Sequence, residues 1–226
     1  MVGVKALLFD FDGLLVDTET ANAQAWQEVF DTQGVRLSLP EWAAHWSAGS
    51  GDRLPTVEWL SRRATRPVDR ELVTDVRRRR YRELVADLPL RPGIGSWLVR
   101  AAELGLRLAV VSNGRAENVR RHLHRLGVDG FEYVVAPDDP AERKPSPELY
   151  LRALRLLGIA ADEALAFEDS PRGVRAATRA GVRCVAVPTA VSVHLSFPGA
   201  WRVVSEPAAV PLDAVVAPFE SREFQR

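Results

Sequence analysis

Five short apolar runs recur along this chain, and each stops abruptly at polar residues or proline. Residues 2–9 stop at Asp10-Phe11-Asp12-Gly13, 106–111 at Ser112-Asn113-Gly114, 133–136 at Pro137-Asp138-Asp139, 164–167 at Glu168-Asp169-Ser170, and 184–187 at Pro188. Runs this short, bounded by turn formers, suit buried strands rather than helices. A sixth strand fits either 201–204 or 214–216. Between the runs the apolar period becomes helical. Ile94, Leu98, Ala101, Ala102 and Leu104 lead to Gly105, and Val119, Leu123 and Leu126 lead to Gly127. Leu149, Ala153, Leu156 and Leu157 lead to Gly158, while Ser170-Pro171 opens a helix that ends near Gly181. Serine is a good N-cap, proline fits the first helical position, and a glycine after the last turn supplies a left-handed stop.

Strands and helices alternating at this spacing predict an α/β fold, a doubly wound, mostly parallel, Rossmann-like sheet. Residues 17–88 break the alternation. They read as helices alone, over 21–33, 41–46, 56–64 and 70–87, the last with Asp69 as its cap and Leu72, Val73, Val76, Leu84 and Val85 at helical spacing. The expected division is a sheet core of 1–15 and 89–226 and an all-helical domain of 16–88 inserted after the first strand. Trp26, Trp42, Trp46 and Trp59 lie in the insert and are expected to build its core. Arg77 to Arg80 are consecutive, so they point around a whole turn. They read as a solvated face, with room for one member to turn inward, rather than a nucleic-acid patch.

Composition narrows the function. Thirty basic and thirty acidic residues balance to a net charge of 0, which argues against a nucleic-acid or membrane-surface partner. The lysines are Lys5 and Lys144 alone, which leaves little scope for Schiff-base chemistry. A single cysteine, Cys184, forms no intrachain disulfide and no multi-thiolate metal site. The four histidines are scattered and read as surface or structural residues. No run approaches the roughly 18 apolar residues of a membrane span. The single cysteine and the absence of a signal peptide before the first strand suggest the cytoplasm, and a monomer is the default expectation.

Ligands of open α/β sheets bind at the carboxyl ends of the strands. Those ends carry Asp10 and Asp12, Ser112 and Asn113, and Glu168 and Asp169, with Lys144 in the loop Arg143-Lys144-Pro145-Ser146-Pro147. Clustered carboxylates are costly unless they hold a cation, and hard oxygen ligands without Cys or His point to Mg2+.

The ordered set 10–19 (Asp-Phe-Asp-Gly-Leu-Leu-Val-Asp-Thr-Glu), Val111-Ser112-Asn113, Lys144-Pro145-Ser146-Pro147 and Phe167-Glu168-Asp169-Ser170 resembles the haloacid dehalogenase superfamily. It is most similar to the branch with a helical cap domain, which includes β-phosphoglucomutase and sugar-phosphate phosphatases. The resemblance reaches to about Pro188. It implies that Asp10 is a nucleophile forming an aspartyl-phosphate, and that Asp12 is the acid and then the base. Asp10, the Asp12 carbonyl and Asp169 would hold Mg2+, with Glu168 behind them or as a further ligand. Ser112 and the Asn113 amide would hold phosphate oxygens, and Lys144 would bridge Asp10 and the phosphoryl group.

The resemblance also separates the branches. Dehalogenases lack the second acid, so Asp12 argues for phosphate chemistry, and phosphonoacetaldehyde hydrolases need a cap lysine that is absent here. The mutase pattern has a histidine where Asn22 stands. It also has a lysine where Ala48 stands, a glycine matched by Gly49, and an arginine one position from Arg53. These departures favour a phosphatase acting on a small phosphorylated metabolite, a sugar phosphate, over a sugar phosphomutase. A non-catalytic binding protein is the third alternative. Asn22, Trp46, Gly49 and Arg53 are the candidates for substrate contact from the cap.

Overall fold

The computed structural model describes residues 3–47 and 55–220, with backbone alone for 218–220. These residues form a six-stranded sheet in which all neighbouring strands run parallel. The strands are β1 (Ala6–Phe9), β2 (Arg107–Val111), β3 (Phe131–Val135), β4 (Ala164–Glu168), β5 (Arg183–Ala186) and β6 (Arg202–Val203), in the order β3-β2-β1-β4-β5-β6. The sixth strand therefore falls in the first of the two expected places. Residues 214–216 belong instead to a helix, Leu212–Glu220. The order reverses at β1, which pairs with β2 on one side and β4 on the other. That places the β1, β2 and β4 ends beside one another, where a switch point opens a crevice.

The sheet is packed on both faces. Ala6, Leu8, Ala109, Val111, Ala164 and Ala166 point to one side, against Leu149, Tyr150, Ala153, Val174 and Ala177. These last residues come from α7 (Glu148–Leu157) and α8 (Pro171–Arg179). On the other face Phe9 stacks on Phe167 at 4.8 Å between centroids, and Phe167 meets Trp97 of α5 (Ile94–Glu103) at 5.2 Å. The indole N–H of Trp97 donates to the Val210 carbonyl at 2.7 Å, so its burial leaves no unpaired donor. In α8 the Ser170 side chain caps Gly173 N–H at 3.1 Å, with Pro171 in the first position. The helix Ala116–Arg125, α6, completes the crossovers.

The chain divides into two compact units. The sheet unit comprises Met1–Val16, Pro89–Pro188 and Ser196–Arg226, and the helical unit comprises Asp17–Leu88 and Thr189–Leu195. The helical unit contains α1 (Thr18–Thr32), α2 (Leu39–Ser47), α3 (Thr56–Ser61) and α4 (Arg70–Ala86). The first of these starts before the expected Ala21, because the Asp17 carboxylate accepts from Thr20 N–H at 3.0 Å and caps it there. Asp69 caps α4 through Leu72 N–H at 3.0 Å, as its position in the sequence predicts. Trp26, Phe30, Trp42, Leu60 and Val73 are buried together, while Trp46 and Trp59 pack at the margin of that cluster.

Thr189–Leu195, expected with the sheet, groups with the helices instead. Val191 is fully buried among the tryptophans of the helical unit. The Thr189 hydroxyl accepts from Val191 and Ser192 N–H at 3.2 and 3.1 Å, fixing the turn that delivers it. Of the arginine run, Arg77 is the member turned inward. Its guanidinium lies over Tyr81 at 4.8 Å and Trp26 at 5.6 Å and bonds the Asn22 side-chain oxygen. Arg78 and Arg80 pair with exposed acids. Among the described residues no helix is long and apolar enough to cross a membrane.

Candidate active site

Asp10 directly follows β1, and its N–H continues the ladder to the Phe167 carbonyl at 3.0 Å. Its carboxylate is thereby held at the switch point, almost wholly buried. Lys144 arrives from the loop after β3 and is equally buried. Its ammonium has three N–H groups and meets three acceptors: Asp10 Oδ1 at 2.7 Å, the Val111 carbonyl at 2.6 Å and Glu168 Oε1 at 2.6 Å. A point charge on a flexible stem suits this tripod, whereas a planar guanidinium does not.

The loop that carries Lys144 is itself clamped. The Asn113 side chain accepts from Lys144 N–H at 2.8 Å and donates to the Lys144 carbonyl at 3.4 Å. Arg172, from α8, donates to that same carbonyl at 2.9 Å. The peptide bond Lys144–Pro145 is cis. The Asn113 side chain is thus engaged with the Lys144 backbone. Ser112 is fully buried; its hydroxyl accepts from Gly114 N–H at 2.9 Å and donates to Asp12 Oδ2 at 3.3 Å. This ties Asp12, which is only half-buried, to the end of β2.

The loop after β1 turns at Gly13, with φ +85° and its N–H on the Val16 carbonyl at 2.7 Å. A Cβ there would lie 1.9 Å from Asp169 Oδ2, so only glycine lets the Asp169 carboxylate lie against the loop. Arg91 holds the loop from the other side. Its guanidinium donates to the carbonyls of Gly13 at 2.7 Å, Val187 at 3.0 Å and Pro188 at 2.7 Å. The chain before β2 and the ends of β1 and β5 are thereby cross-linked.

Asp10, Glu168 and Asp169, all buried, each offer a carboxylate oxygen within 4.8 Å of the others. Asp12 lies close enough to raise the pKa of Asp10 further. Burial is the larger cause of that rise, and the Lys144 ammonium opposes it. Burial and the Asp10 charge likewise lift Glu168. For Lys144, burial works against the charge, yet Asp10 and Glu168 together hold the ammonium above its ordinary pKa. Asp10 and Glu168 therefore share one ammonium. Glu168 Oε2 is buried with no hydrogen-bond partner. Clustered carboxylate oxygens without nitrogen or sulfur ligands fit a hard divalent cation.

Three side chains escaped the sequence reading. Tyr150 is fully buried and donates its hydroxyl to Glu168 Oε1. Burial first, then the Glu168 charge, keeps that phenol protonated far above its usual pKa. Its signal was a tyrosine on an apolar helix face, which needs a partner once buried. Arg91 and Arg172 gave none, since both bond main-chain carbonyls that only the tertiary fold brings near. Of the proposed substrate contacts, Asn22 and Trp46 lie in the helical unit, Asn22 bonded to Arg77 and Trp46 partly buried. Gly49 and Arg53 lie outside the described residues. The histidines do not join the acid cluster; His45 stacks on Trp59 at 4.1 Å and His122 packs near Phe11 at 5.7 Å.

A parallel sheet with acids at the ends of β1 and β4 and an ammonium between them defines a hydrolase core. The chain belongs to the haloacid dehalogenase-like hydrolase family, whose profile matches residues 7–187. It is 40% identical over 195 residues to the Bacillus subtilis protein "Putative phosphatase YhcW", covering 86% of this chain and 88% of that one. Among solved structures it is similar to CbbY from Rhodobacter sphaeroides in complex with xylulose-(1,5)bisphosphate. That match has 30% identity, 91% and 95% coverage of the two chains, and a TM-score of 0.68. It is also similar to a HAD family hydrolase from Deinococcus radiodurans with bound phosphate and sodium, at 27% identity, 97% coverage of each chain and a TM-score of 0.76.

Proposed function

We propose that the protein is a Mg2+-dependent phosphatase that hydrolyses a small sugar phosphate through an aspartyl-phosphate. The reading rests on one observation above the others: Asp10, at the switch point of the sheet, is paired with Lys144 inside a cluster of buried carboxylates. The Asp10 and Asp169 carboxylates and the Asp12 carbonyl would hold Mg2+, with Glu168 beside them. Bound there, Mg2+ supplies charge neutralisation for the phosphoryl oxygens.

In the first half-reaction an Asp10 carboxylate oxygen bonds to phosphorus and the bond to the sugar oxygen breaks. Asp12, as the acid, gives that oxygen its proton. In the second, the Asp12 carboxylate takes a proton from water, whose oxygen bonds to phosphorus. The bond to Asp10 then breaks, releasing inorganic phosphate, restoring the Asp10 carboxylate and leaving Asp12 protonated for the next cycle. Ser112 orients Asp12 through its 3.3 Å hydrogen bond. Lys144 holds Asp10 in line, and because its three N–H groups all have protein acceptors, contact with a phosphoryl oxygen requires one of them to be exchanged. The helical unit would act as the specificity cap, with Asn22 and Trp46 among its contact residues.

The test is phosphate release from a panel of sugar monophosphates and bisphosphates, xylulose 1,5-bisphosphate included, with Mg2+. Release that Asp10→Asn abolishes supports the reading, and full activity in Asp10→Asn overturns it. Conversion of β-glucose 1-phosphate to glucose 6-phosphate without free phosphate would assign a mutase instead.

A further inference from the structure

We propose that Tyr150 is a positioning residue for this reaction: its hydroxyl fixes Glu168 and, through Glu168, the Lys144 ammonium on Asp10. The proposal rests on the phosphatase reading above and extends it to a residue outside the strand-end motifs. Tyr150 comes from α7, on the face that packs against the sheet, and is 0% exposed. It touches the ion pair at two points. The hydroxyl donates to Glu168 Oε1, the same atom that takes Lys144 Nζ at 2.6 Å. The ring lies beneath the ammonium, 5.4 Å from its centroid. A phenylalanine would fill the same volume and seal the same core, so packing alone does not call for the oxygen.

The arrangement leaves Glu168 few other anchors. Oε1 accepts from Tyr150 and Lys144, while Oε2 has no hydrogen-bond partner and rests against Gly173, where a Cβ would lie 1.7 Å away. Glu168 is therefore oriented by one hydroxyl, one ammonium and the floor that Gly173 provides. Without the hydroxyl, Lys144 is its remaining donor. The carboxylate then gains freedom to rotate, and the ammonium that bonds it moves with it. The third arm of the Lys144 tripod loosens, and the charge that aligns Asp10 is displaced. Because the effect falls on the nucleophile and not on the sugar, it belongs in turnover rather than in substrate affinity.

The experiment is a double-mutant cycle of Tyr150→Phe and Glu168→Ala, read by steady-state phosphate release and by urea unfolding. The expected result is a fall in kcat of about tenfold for Tyr150→Phe, with KM within about twofold of the parent, as for outer-shell partners generally. In the Glu168→Ala background, the same change should alter kcat less than about twofold. An unchanged kcat, or a rise in KM alone, overturns the positioning role. An equal fall in both backgrounds overturns the route through Glu168. Should Glu168→Ala fail to fold, Glu168→Gln replaces it, and the Tyr150→Phe effect should shrink there for want of the ion pair. If the parent releases no phosphate, the phosphatase reading fails by itself and the unfolding arm decides the contact. Tyr150→Phe should lower the urea midpoint of the Glu168 protein more than that of the Glu168→Ala protein. Equal shifts would overturn it.

Discussion

Gly173→Ala sets two physical rules against each other. Gly173 lies in the first turn of α8 with ordinary helical backbone, and replacing a helical glycine by alanine stabilises by up to about 1 kcal/mol. Here the new methyl would sit 1.7 Å from Glu168 Oε2, 2.0 Å from Cδ and 2.5 Å from Oε1. Cβ atoms essentially never come within 3.0 Å of another heavy atom, so the shortfall is 3.0 − 1.7 = 1.3 Å. A free carboxylate would swing aside at little cost. This one is fully buried and held on its far oxygen by Tyr150 and Lys144. Either the helix shifts, an overpacking cost of about 1–3 kcal/mol, or Glu168 gives up a buried ion pair, about 3–5 kcal/mol. The cheaper route governs, and set against the propensity gain it leaves a net expected loss of about 1–2 kcal/mol. For a chain of this size that is a fall in Tm of about 2–8 °C, with turnover also lowered where Glu168 gives way and Lys144 moves with it. Thermal unfolding of parent and variant, each with Mg2+ and with chelator, measures it. A variant as stable as the parent, or more so, would refute the close packing of Glu168 on α8.

Other perturbations read different parts of the site. Lys144→Arg should lose at least about 100-fold in kcat, since a planar fork does not fit the three acceptors that surround the ammonium. Near-normal turnover would show that a charge suffices there. Arg91→Ala removes the donor for three carbonyls and should lower unfolding free energy by about 3 kcal/mol, read by urea titration. A loss under about 0.5 kcal/mol would mean that solvent replaces the guanidinium at no cost. Chelation of divalent ions should reduce phosphate release to background and lower the Tm, both restored by added Mg2+, because a cation held by the Asp10, Glu168 and Asp169 cluster would stabilise the folded state. A Tm unmoved by chelation would argue against a cation among them.

Much of this architecture is legible in local signals. Strand ends fall where the apolar runs stop, and Gly105, Gly127 and Gly158 end helices with positive φ as their positions suggest. Asp69 and Ser170 cap the helices expected of them. The strand-end residues Asp10, Ser112, Glu168 and Asp169 meet because parallel pairing puts Phe9 opposite both Val110 and Phe167, and topology does the rest. The misses share a cause. The choice between 201–204 and 214–216 depends on which run finds a partner at the sheet edge, and Arg202 and Val203 find β5. Arg91 and Arg172 act on main-chain carbonyls, which carry no residue-specific pattern. Tyr150 reads as one more apolar position in α7 until Glu168 is placed opposite it. The contact of the Asn113 side chain with the Lys144 backbone likewise forms only once the loop folds back.

Val191 carries a consequence for how the protein is made. It is buried beside residues such as Trp42, about 150 positions earlier in the chain, so the helical unit lacks a wall of its core until synthesis has passed β5. A nascent chain that has emitted α1 to α4 holds a bundle whose apolar interior is still open at one side, and closing it waits on the sheet. Contacts of such long sequence separation slow folding and lengthen the time that apolar surface stays accessible. The helical unit is therefore expected to complete its core only after β5 has been made. A chain stopped at Pro188 would carry a complete set of strand-end acids beside an unfinished helical unit.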